Sequence, residues 1–499
     1  MMQLHTPQEA ANWLRTRVAG SLYADSRRVA AGDGFVAWPS AARDARQYVP
    51  AVLQAGAAAC LVDSSDIEKF KFNSEKVAAY AGLKRAAAPI AAAYFDQPSK
   101  RLQTIAVTGT NGKTTTAWWL AHAFAKVNRP CGMVGTLGIG APGALIPNGL
   151  TTPDPVLLQQ QLRHMVDEGF AACAIEASSI GIAEHRLDAT HFAVAVFTNF
   201  TQDHLDYHGS MQAYWAAKAS LFSWPGLQAA VINLDDEKGL ALSEQLESSV
   251  VDLWTTAIHR PARLQALAIE QRAGRLEFDV LEGSERSKVT TAGVGLYNVS
   301  NLLGVIGAMR ACGMSLDTAA NACCDLPAVP GRLNTLNQPG APLVVIDYAH
   351  TPDALEKVLL ALRPVALSRG GQLWCVFGCG GDRDASKRPV MASVAQQHAD
   401  QIVVTSDNPR SESADSIVAQ ILLGFTGPES VRKSPYTQID RALAIAQTIA
   451  KAKPQDVVLL AGKGHETTQE INGIKHPFDD QIHARAALLA RVSEGVPSC

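Results

Sequence analysis

The chain has 499 residues, 47% hydrophobic and 18% charged, with a formal net charge of −3. Such a length corresponds to about three domains, and the composition is that of a globular protein with ample apolar surface for its cores. There is no long basic block, so sequence-independent nucleic-acid binding is not indicated. No apolar run is long enough to cross a bilayer; the best candidate, Ala86–Phe95, is short and contains Pro89. Residues Met1–Val18 lack the apolar core of a signal peptide, and a cytoplasmic location is expected. Nine cysteines are scattered without a CxxC pair, which points to reduced thiols rather than disulfides or a zinc site.

Taken in chain order, residues 1–98 form a first expected domain, ending at Gln97-Pro98-Ser99. Thr104–Val107 then reads as a buried strand, followed by a Gly-rich loop and a helix over Thr116–Val127. Ala172–Ile175 and Val194–Phe197 read as further buried strands of a second domain, 99–332. Gly331-Arg332 marks the next boundary. Beyond it come a strand at Leu343–Ile346, a helix over Asp353–Arg363, and strands at Leu373–Phe377, Ile402–Val404 and Val457–Leu460, the third domain, 333–499. Strands alternating with helices indicate parallel sheets, hence the α/β fold class. The chemically distinctive residues fall in loops after these strands, where open α/β sheets bind ligands.

The strongest local motif is Gly109-Thr110-Asn111-Gly112-Lys113-Thr114-Thr115, between a strand and a helix. Backbone N–H groups of such a loop, backed by a helix N-terminus, bind phosphate oxygens. Lys113 is expected to reach the β- and γ-phosphates of a nucleotide, and Thr114 to ligate Mg²⁺. The spacing is GxxGKT; the longer GxxxxGK[ST] pattern would need glycine where Val107 stands. A Gly-rich turn that only packs against its neighbours is the alternative.

Further motifs follow in a fixed order. They are Asp25-Ser26-Arg27 with Gly32-Asp33 and Phe35-Val36-Ala37; Thr151-Thr152-Pro153; Glu176-Ala177-Ser178-Ser179; Thr198-Asn199; Asp203-His204-Leu205-Asp206 with His208-Gly209; Asn298-Val299-Ser300-Asn301; and Gly331-Arg332. Asp347-Tyr348-Ala349-His350-Thr351-Pro352-Asp353, Gly380-Gly381-Asp382-Arg383-Asp384 with Lys387-Arg388-Pro389, Asp407-Asn408-Pro409-Arg410 and Gly462-Lys463-Gly464-His465-Glu466 complete the series. With TGTNGKTTT as its phosphate loop, the chain resembles the Mur ligase family over nearly its whole length, and within it the ligases that add the third peptide residue. It departs from that pattern at Ile180, where histidine is usual, at Glu184 for glutamine, at Asn334 for glutamate, and at Trp38-Pro39-Ser40.

The resemblance implies three α/β domains: a uridine-binding N-terminal domain, a central P-loop-type ATPase domain and a Rossmann-like C-terminal domain. It implies ATP-dependent addition of meso-2,6-diaminopimelate to UDP-N-acetylmuramoyl-L-alanyl-D-glutamate through an acyl phosphate, in peptidoglycan precursor synthesis, by a monomer. ATP first turns a poor electrophile, a carboxylate, into an acyl phosphate; an amine then displaces phosphate. Both steps build negative charge that cations and oriented donors stabilise. The implied cofactors are ATP, two Mg²⁺ ions and a carbamate on Lys218.

The implied ATP residues are Gly109, Thr110, Asn111, Gly112, Lys113, Thr114, Thr115, Asn298, Asn301, Arg332, Asp347 and His350. By themselves Asn298 and Asn301 read equally as helix-start caps and Arg332 as a surface cap. Thr114 and Glu176 are expected to hold one Mg²⁺, since Glu176 ends an apolar strand where an unpaired carboxylate is costly without a cation. Carbamylated Lys218 and His204 are implied for the second; without the resemblance Lys218 is a helix-surface lysine. Lys113, Glu176, His204 and Lys218 form the implied catalytic set.

Ser26, Thr151, Thr152, Ser179 and Arg186 are implied contacts of the UDP-muropeptide. Arg383, Asp407, Asn408, Arg410, Gly462 and Glu466 are implied contacts of diaminopimelate. Arg410 suits that amino acid because its fork matches a distal carboxylate that lysine lacks. Asn408-Pro409 alone reads as a turn initiator. The competing readings are an L-lysine-adding ligase, a D-Ala-D-Ala-adding ligase, a folylpolyglutamate synthetase and a silent nucleotide-binding protein. The last needs a broken site, which Lys113, Thr114, Glu176, His204 and Lys218 argue against.

Overall fold

The computed structural model describes residues 1–40, 43–272, 275–427 and 434–494. The described chain builds three successive sheets and a small hairpin. The first sheet is five-stranded and wholly parallel, in the order Met2–Leu4, Val77–Tyr80, Ala59–Asp63, Gly34–Ala37, Leu22–Tyr23. Short runs such as Ala59–Asp63 are buried throughout, as strands covered on both faces must be.

The second sheet has ten strands. Its parallel heart runs Asp252–Ala257, Ala229–Asn233, Val194–Phe197, Gln103–Thr108, Ala172–Glu176, Cys131–Gly135. Antiparallel pairing closes both ends: Gly138–Gly140 beyond Cys131–Gly135, and Arg275–Glu282 with Glu285–Ala292 beyond Leu264–Arg272. The helix Leu296–Ala311 is buried along most of its length against Lys113–Lys126, Asp252–Ala257 and Ala229–Asn233. The third sheet is six-stranded, in the order Asn334–Leu336, Leu343–Asp347, Val457–Ala461, Leu373–Phe377, Gln401–Val404, Tyr436–Thr437; its first strand is antiparallel.

Each apolar run read as a strand is one, within a residue at its ends. The helix expected at Asp353–Arg363 spans Pro352–Ser368. The helix expected at Thr116–Val127 starts earlier, at Lys113, because Gly112 in a left-handed conformation (φ 87°) serves as its N-cap. That correction puts Thr114 and Thr115 in the first helical turn, whose amides have no intrahelical partner. The expected helix-start caps Asn298 and Asn301 are not caps: Gly295 occupies that position, and the Asn298 amide donates to Val294 O at 2.9 Å. Eight cysteines are free among the described residues; Cys499 lies outside them. No described helix is long and apolar enough to cross a membrane.

Candidate active site

The phosphate loop leaves the carboxyl end of Gln103–Thr108, between two parallel neighbours that end in chemistry of their own. Glu176 closes Ala172–Glu176, and Thr198-Asn199 follow Val194–Phe197. The loop is braced from the Thr198-Asn199 side. Asn111 N–H donates to Asn199 Oδ1 (2.9 Å), Asn199 Nδ2 donates back to Asn111 O (3.0 Å), and Thr198 Oγ1 donates to Asn111 O (2.6 Å). Lys113 folds back on the loop, its Nζ donating to Gly109 O and Thr110 O, both at 2.8 Å. Asn301 abuts Gly112, so close that a Cβ there would lie 2.4 Å from its Oδ1.

Glu176 is fully buried. Its carboxylate accepts from Thr114 Oγ1 (2.9 Å), Thr136 N (2.9 Å) and Thr136 Oγ1 (3.3 Å). Burial raises its pKa, opposed by the nearby Lys113 charge. Thr136 was not singled out in the sequence; it follows a short strand without any motif, and only the fold brings it here.

Lys218 is not on the helix surface. It is 1% exposed, its Nζ donates to Gly109 O at 2.7 Å, and it lies 4.6 Å from the centre of the Tyr214 ring. Burial, then the Lys113 charge, pull its pKa well below that of an ordinary lysine. His204 takes a left-handed conformation (φ 53°) beside it, its Nε2 3.4 Å from Asp203 Oδ2. Burial pushes the His204 imidazole down to about 4, against the pull of Asp203.

Asp203 is a hub that sequence reading passed over, although it opens the Asp203-His204-Leu205-Asp206 motif. Burial alone would raise its carboxyl, yet His204, His350 and Lys387 hold it well below the usual carboxylate range. His350 Nε2 (3.9 Å) comes from the loop after Leu343–Asp347, and Lys387 Nζ (3.8 Å) from the start of the helix Lys387–His398. Other bonds join the same two units. Asn111 Nδ2 donates to Asp353 Oδ2 (2.7 Å), and Gln202 Nε2 to Asp384 Oδ2 (3.0 Å) and Ser386 Oγ (2.9 Å).

Arg332, at the junction, lies with its Nη2 3.5 Å from Thr114 Oγ1 and its guanidinium 4.6 Å over the Tyr348 ring. Asp347 is buried, and both carboxylate oxygens are occupied: Oδ2 accepts from Leu333 N and Oδ1 from Ala349 N, each at 2.8 Å. It thus ties the interdomain strap to the end of Leu343–Asp347.

The expected muropeptide residues divide. Thr152 Oγ1 donates to Glu176 O (2.7 Å), Arg186 Nη1 donates to Thr152 O (2.9 Å), and Thr151 and Thr136 hydroxyls meet at 3.1 Å. Ser179 Oγ meets His208 Nε2 at 3.0 Å. These four therefore cluster beside Glu176. Ser26 sits in the turn Ser26–Arg28 of the first unit, without a direct bond to them; Arg28 of that turn acts electrostatically on half-buried Asp154. Glu184 pairs with Lys84 of the first unit (2.6 Å) and accepts from Tyr207 OH (2.6 Å).

The expected amino-acid residues lie at the carboxyl ends of the third sheet. Asn408 Nδ2 donates to Glu466 Oε2 at 2.7 Å. Arg410 is not an open fork: its Nη1 donates to Gly381 O (2.7 Å) and its Nε lies 3.8 Å from Glu470 Oε2. Arg383 Nη1 reaches to 3.9 Å from Asp206 Oδ2, across the interdomain cleft. Asp407 Oδ2 lies against Gly462, where a Cβ would come within 2.5 Å. A cavity of about 780 Å³ borders the Asp407–Arg410 loop, lined by Pro409, Glu412, Arg441 and Phe478.

The middle of the chain, residues 107–309, matches the Mur ligase middle domain, and residues 331–464 match the Mur ligase glutamate ligase domain. A UDP-N-acetylmuramoyl-L-alanyl-D-glutamate--2,6-diaminopimelate ligase of Acidovorax sp. (strain JS42) is 55% identical over 98% of both chains. One of the same name from Pseudomonas aeruginosa is 44% identical over 93% of this chain and 94% of its own. A solved structure of a ligase with that name covers 95% of each chain at 33% identity, with a TM-score of 0.62. A Mycobacterium tuberculosis folylpolyglutamate synthase complexed with ADP aligns with a TM-score of 0.61 at 17% identity, a likeness of fold alone. Matched end to end by such relatives, with a phosphate loop, a buried glutamate and a buried lysine gathered at neighbouring strand ends, the chain belongs to the Mur ligase family.

Proposed function

We propose that the protein is an ATP-dependent ligase that joins meso-2,6-diaminopimelate to UDP-N-acetylmuramoyl-L-alanyl-D-glutamate in peptidoglycan precursor synthesis. The observation that carries this reading is 55% identity, over 98% of both chains, to a ligase of that name. Residues 1–98, 99–332 and 333–499 are its uridine-binding, ATP-binding and amino-acid-binding domains, and it works as a cytoplasmic monomer.

ATP lies along Gly109–Thr115, with Lys113 on the β- and γ-phosphates and Asn298, Asn301, Arg332 and His350 around the nucleotide. Mg²⁺ fits Thr114 and Glu176. Both offer hard oxygens, and the Glu176 carboxylate is fully buried with hydroxyl and amide partners but no cation in contact. The ion supplies charge neutralisation for the transferring phosphoryl group. Lys218 fits a carbamate, since burial beside Lys113 disfavours its charged form and the neutral amine is the form that adds CO₂. A carbamate turns that amine into an oxygen donor suited, with His204, to a second Mg²⁺.

Thr151, Thr152, Ser179 and Arg186 hold the muropeptide so that its glutamyl carboxylate meets the phosphate-loop end of the site, with Ser26 on the uridine side. Lys113 and the first-turn amides stabilise charge as the carboxylate attacks the γ-phosphorus. The amine of diaminopimelate, held by Arg383, Asn408, Arg410 and Glu466 with Asp407 and Gly462 shaping the loop, then displaces phosphate from the acyl carbon. Contacts such as Asn111–Asp353 and Gln202–Asp384 seal the cleft while the acyl phosphate exists; exclusion of water protects it from hydrolysis.

ADP release in the presence of ATP, UDP-muramoyl-dipeptide and each amino acid tests this. Turnover should require the dipeptide and diaminopimelate together, with L-lysine scarcely used. Equal turnover with L-lysine would make the protein the lysine-adding enzyme, and turnover with a folate in place of the dipeptide would overturn the reading.

A further inference from the structure

Lys463 stands in no expected site, yet it is the cation at the centre of the amino-acid loops. It is 0% exposed. All three of its ammonium hydrogens have acceptors: Thr468 O (2.8 Å), Glu466 Oε2 (2.9 Å) and Asn408 Oδ1 (3.2 Å). The backbone forces this placement. Gly462 and Gly464 flank it with φ of 115° and 54°, a double left-handed bend that turns the side chain inward.

Two consequences follow from donor and acceptor counting. Asn408 Oδ1 accepts from Lys463 Nζ and also from Glu470 N (3.0 Å), so the amide cannot flip; its Nδ2 must point to Glu466. Glu466 Oε2 then accepts from both Lys463 and Asn408, at 2.9 and 2.7 Å, and is fully committed. Its Oε1 takes part in neither bond, and the side chain is 27% exposed. The pocket therefore presents one carboxylate oxygen with a fixed direction.

We infer that Lys463 is a positioning residue for amino-acid selection. It holds Glu466 by Oε2, so that Oε1 is the acceptor for an ammonium group of the incoming amino acid. Lys463 touches no substrate itself; it acts through Glu466 and Asn408. Without the Lys463 ammonium, Glu466 Oε2 loses one of its two fixing bonds and Asn408 Oδ1 one of its two donors, so the direction of Oε1 is no longer set. The inference rests on the proposal that Glu466 and Asn408 contact diaminopimelate.

The test is steady-state kinetics of Lys463→Met and Glu466→Gln on the full chain. For Lys463→Met the KM for diaminopimelate should rise about tenfold or more, with KM for ATP and UDP-muramoyl-dipeptide within about twofold of wild type. The kcat at saturating diaminopimelate should stay within about threefold of wild type, a KM-against-kcat split that a merely structural lysine would not create. An unchanged KM for diaminopimelate in Lys463→Met, with Glu466→Gln impaired, overturns the inference. An unimpaired Glu466→Gln instead sinks the underlying assignment of Glu466. If Lys463→Met does not fold, Lys463→Met/Glu466→Gln removes both charges and leaves no uncompensated buried ion. That double variant should keep at least the kcat/KM of Glu466→Gln alone, and a further drop of about tenfold would overturn the inference.

Discussion

A methyl group at Gly135, which itself lies outside the proposed site residues, is expected to disable the site by displacing Glu176. An alanine Cβ at Gly135 would lie 2.1 Å from Glu176 Oε1, 2.8 Å from its Cδ and 2.9 Å from its Cγ. Ordinary contact begins near 3.4 Å, so the carboxylate must retreat by about 1.3 Å. It cannot do so and keep its bonds to Thr136 N (2.9 Å) and Thr114 Oγ1 (2.9 Å). A buried amide left unpaired costs about 1–3 kcal/mol, and overpacking of a core about the same. A displacement of this size at a reacting centre costs about 100-fold in rate. Gly135→Ala should therefore fold, melt a few degrees lower, and lose about 100-fold in kcat/KM for ATP. Thermal melts and substrate-dependent ADP release measure both. Activity within about threefold of wild type would refute the reasoning, since it would mean that the Glu176 position does not matter to catalysis.

Three further outcomes are expected. Lys218→Ala should be nearly inactive and partly restored by small carboxylates supplied in solution; full activity without them would remove Lys218 from the site. Arg410→Ala should lose most of its kcat/KM for diaminopimelate, and Arg410→Lys should recover little, because an ammonium cannot reproduce a two-bond fork. Since Arg410 keeps Gly381 O as a partner when no carboxylate is present, wild-type discrimination against L-lysine should be about 10²-fold or more; comparable kcat/KM for the two would contradict it. Finally, burial and then Arg332 hold the His465 imidazole down to about 4, against about 6.5 in an unfolded chain. Between those values the unfolded state binds the extra proton, so His465 removes stability as pH falls from 6.5 toward 4. The fall in melting temperature between pH 7 and pH 5 should be smaller in His465→Gln than in wild type, and an equal or larger fall would show that His465 does not titrate this way.

Strand identity and order of the reactive loops were legible in the sequence because parallel strands buried on both faces are unbroken apolar runs. Ala172–Glu176 and Val457–Ala461 announce themselves, with Glu176 at the end of the first and Gly462 directly after the second. The phosphate loop was legible for the same reason, as a Gly-rich turn between such a run and a helix. What burial does to a polar side chain was not. Lys218, read alone, looked like a surface lysine, and Lys463 was passed over inside a motif; both are buried, and only the fold surrounds them. Thr136 and Asp203 gained their roles from partners 40 residues away or on a helix of the third unit. That Asp347 also accepts a backbone amide on each oxygen was likewise not legible. The physical reason is one of range. Hydrophobic periodicity and turn chemistry act between near neighbours in sequence. The desolvation and charge pairing that shift a lysine, orient a carboxylate or commit an arginine are set by atoms that folding alone brings within a few ångströms.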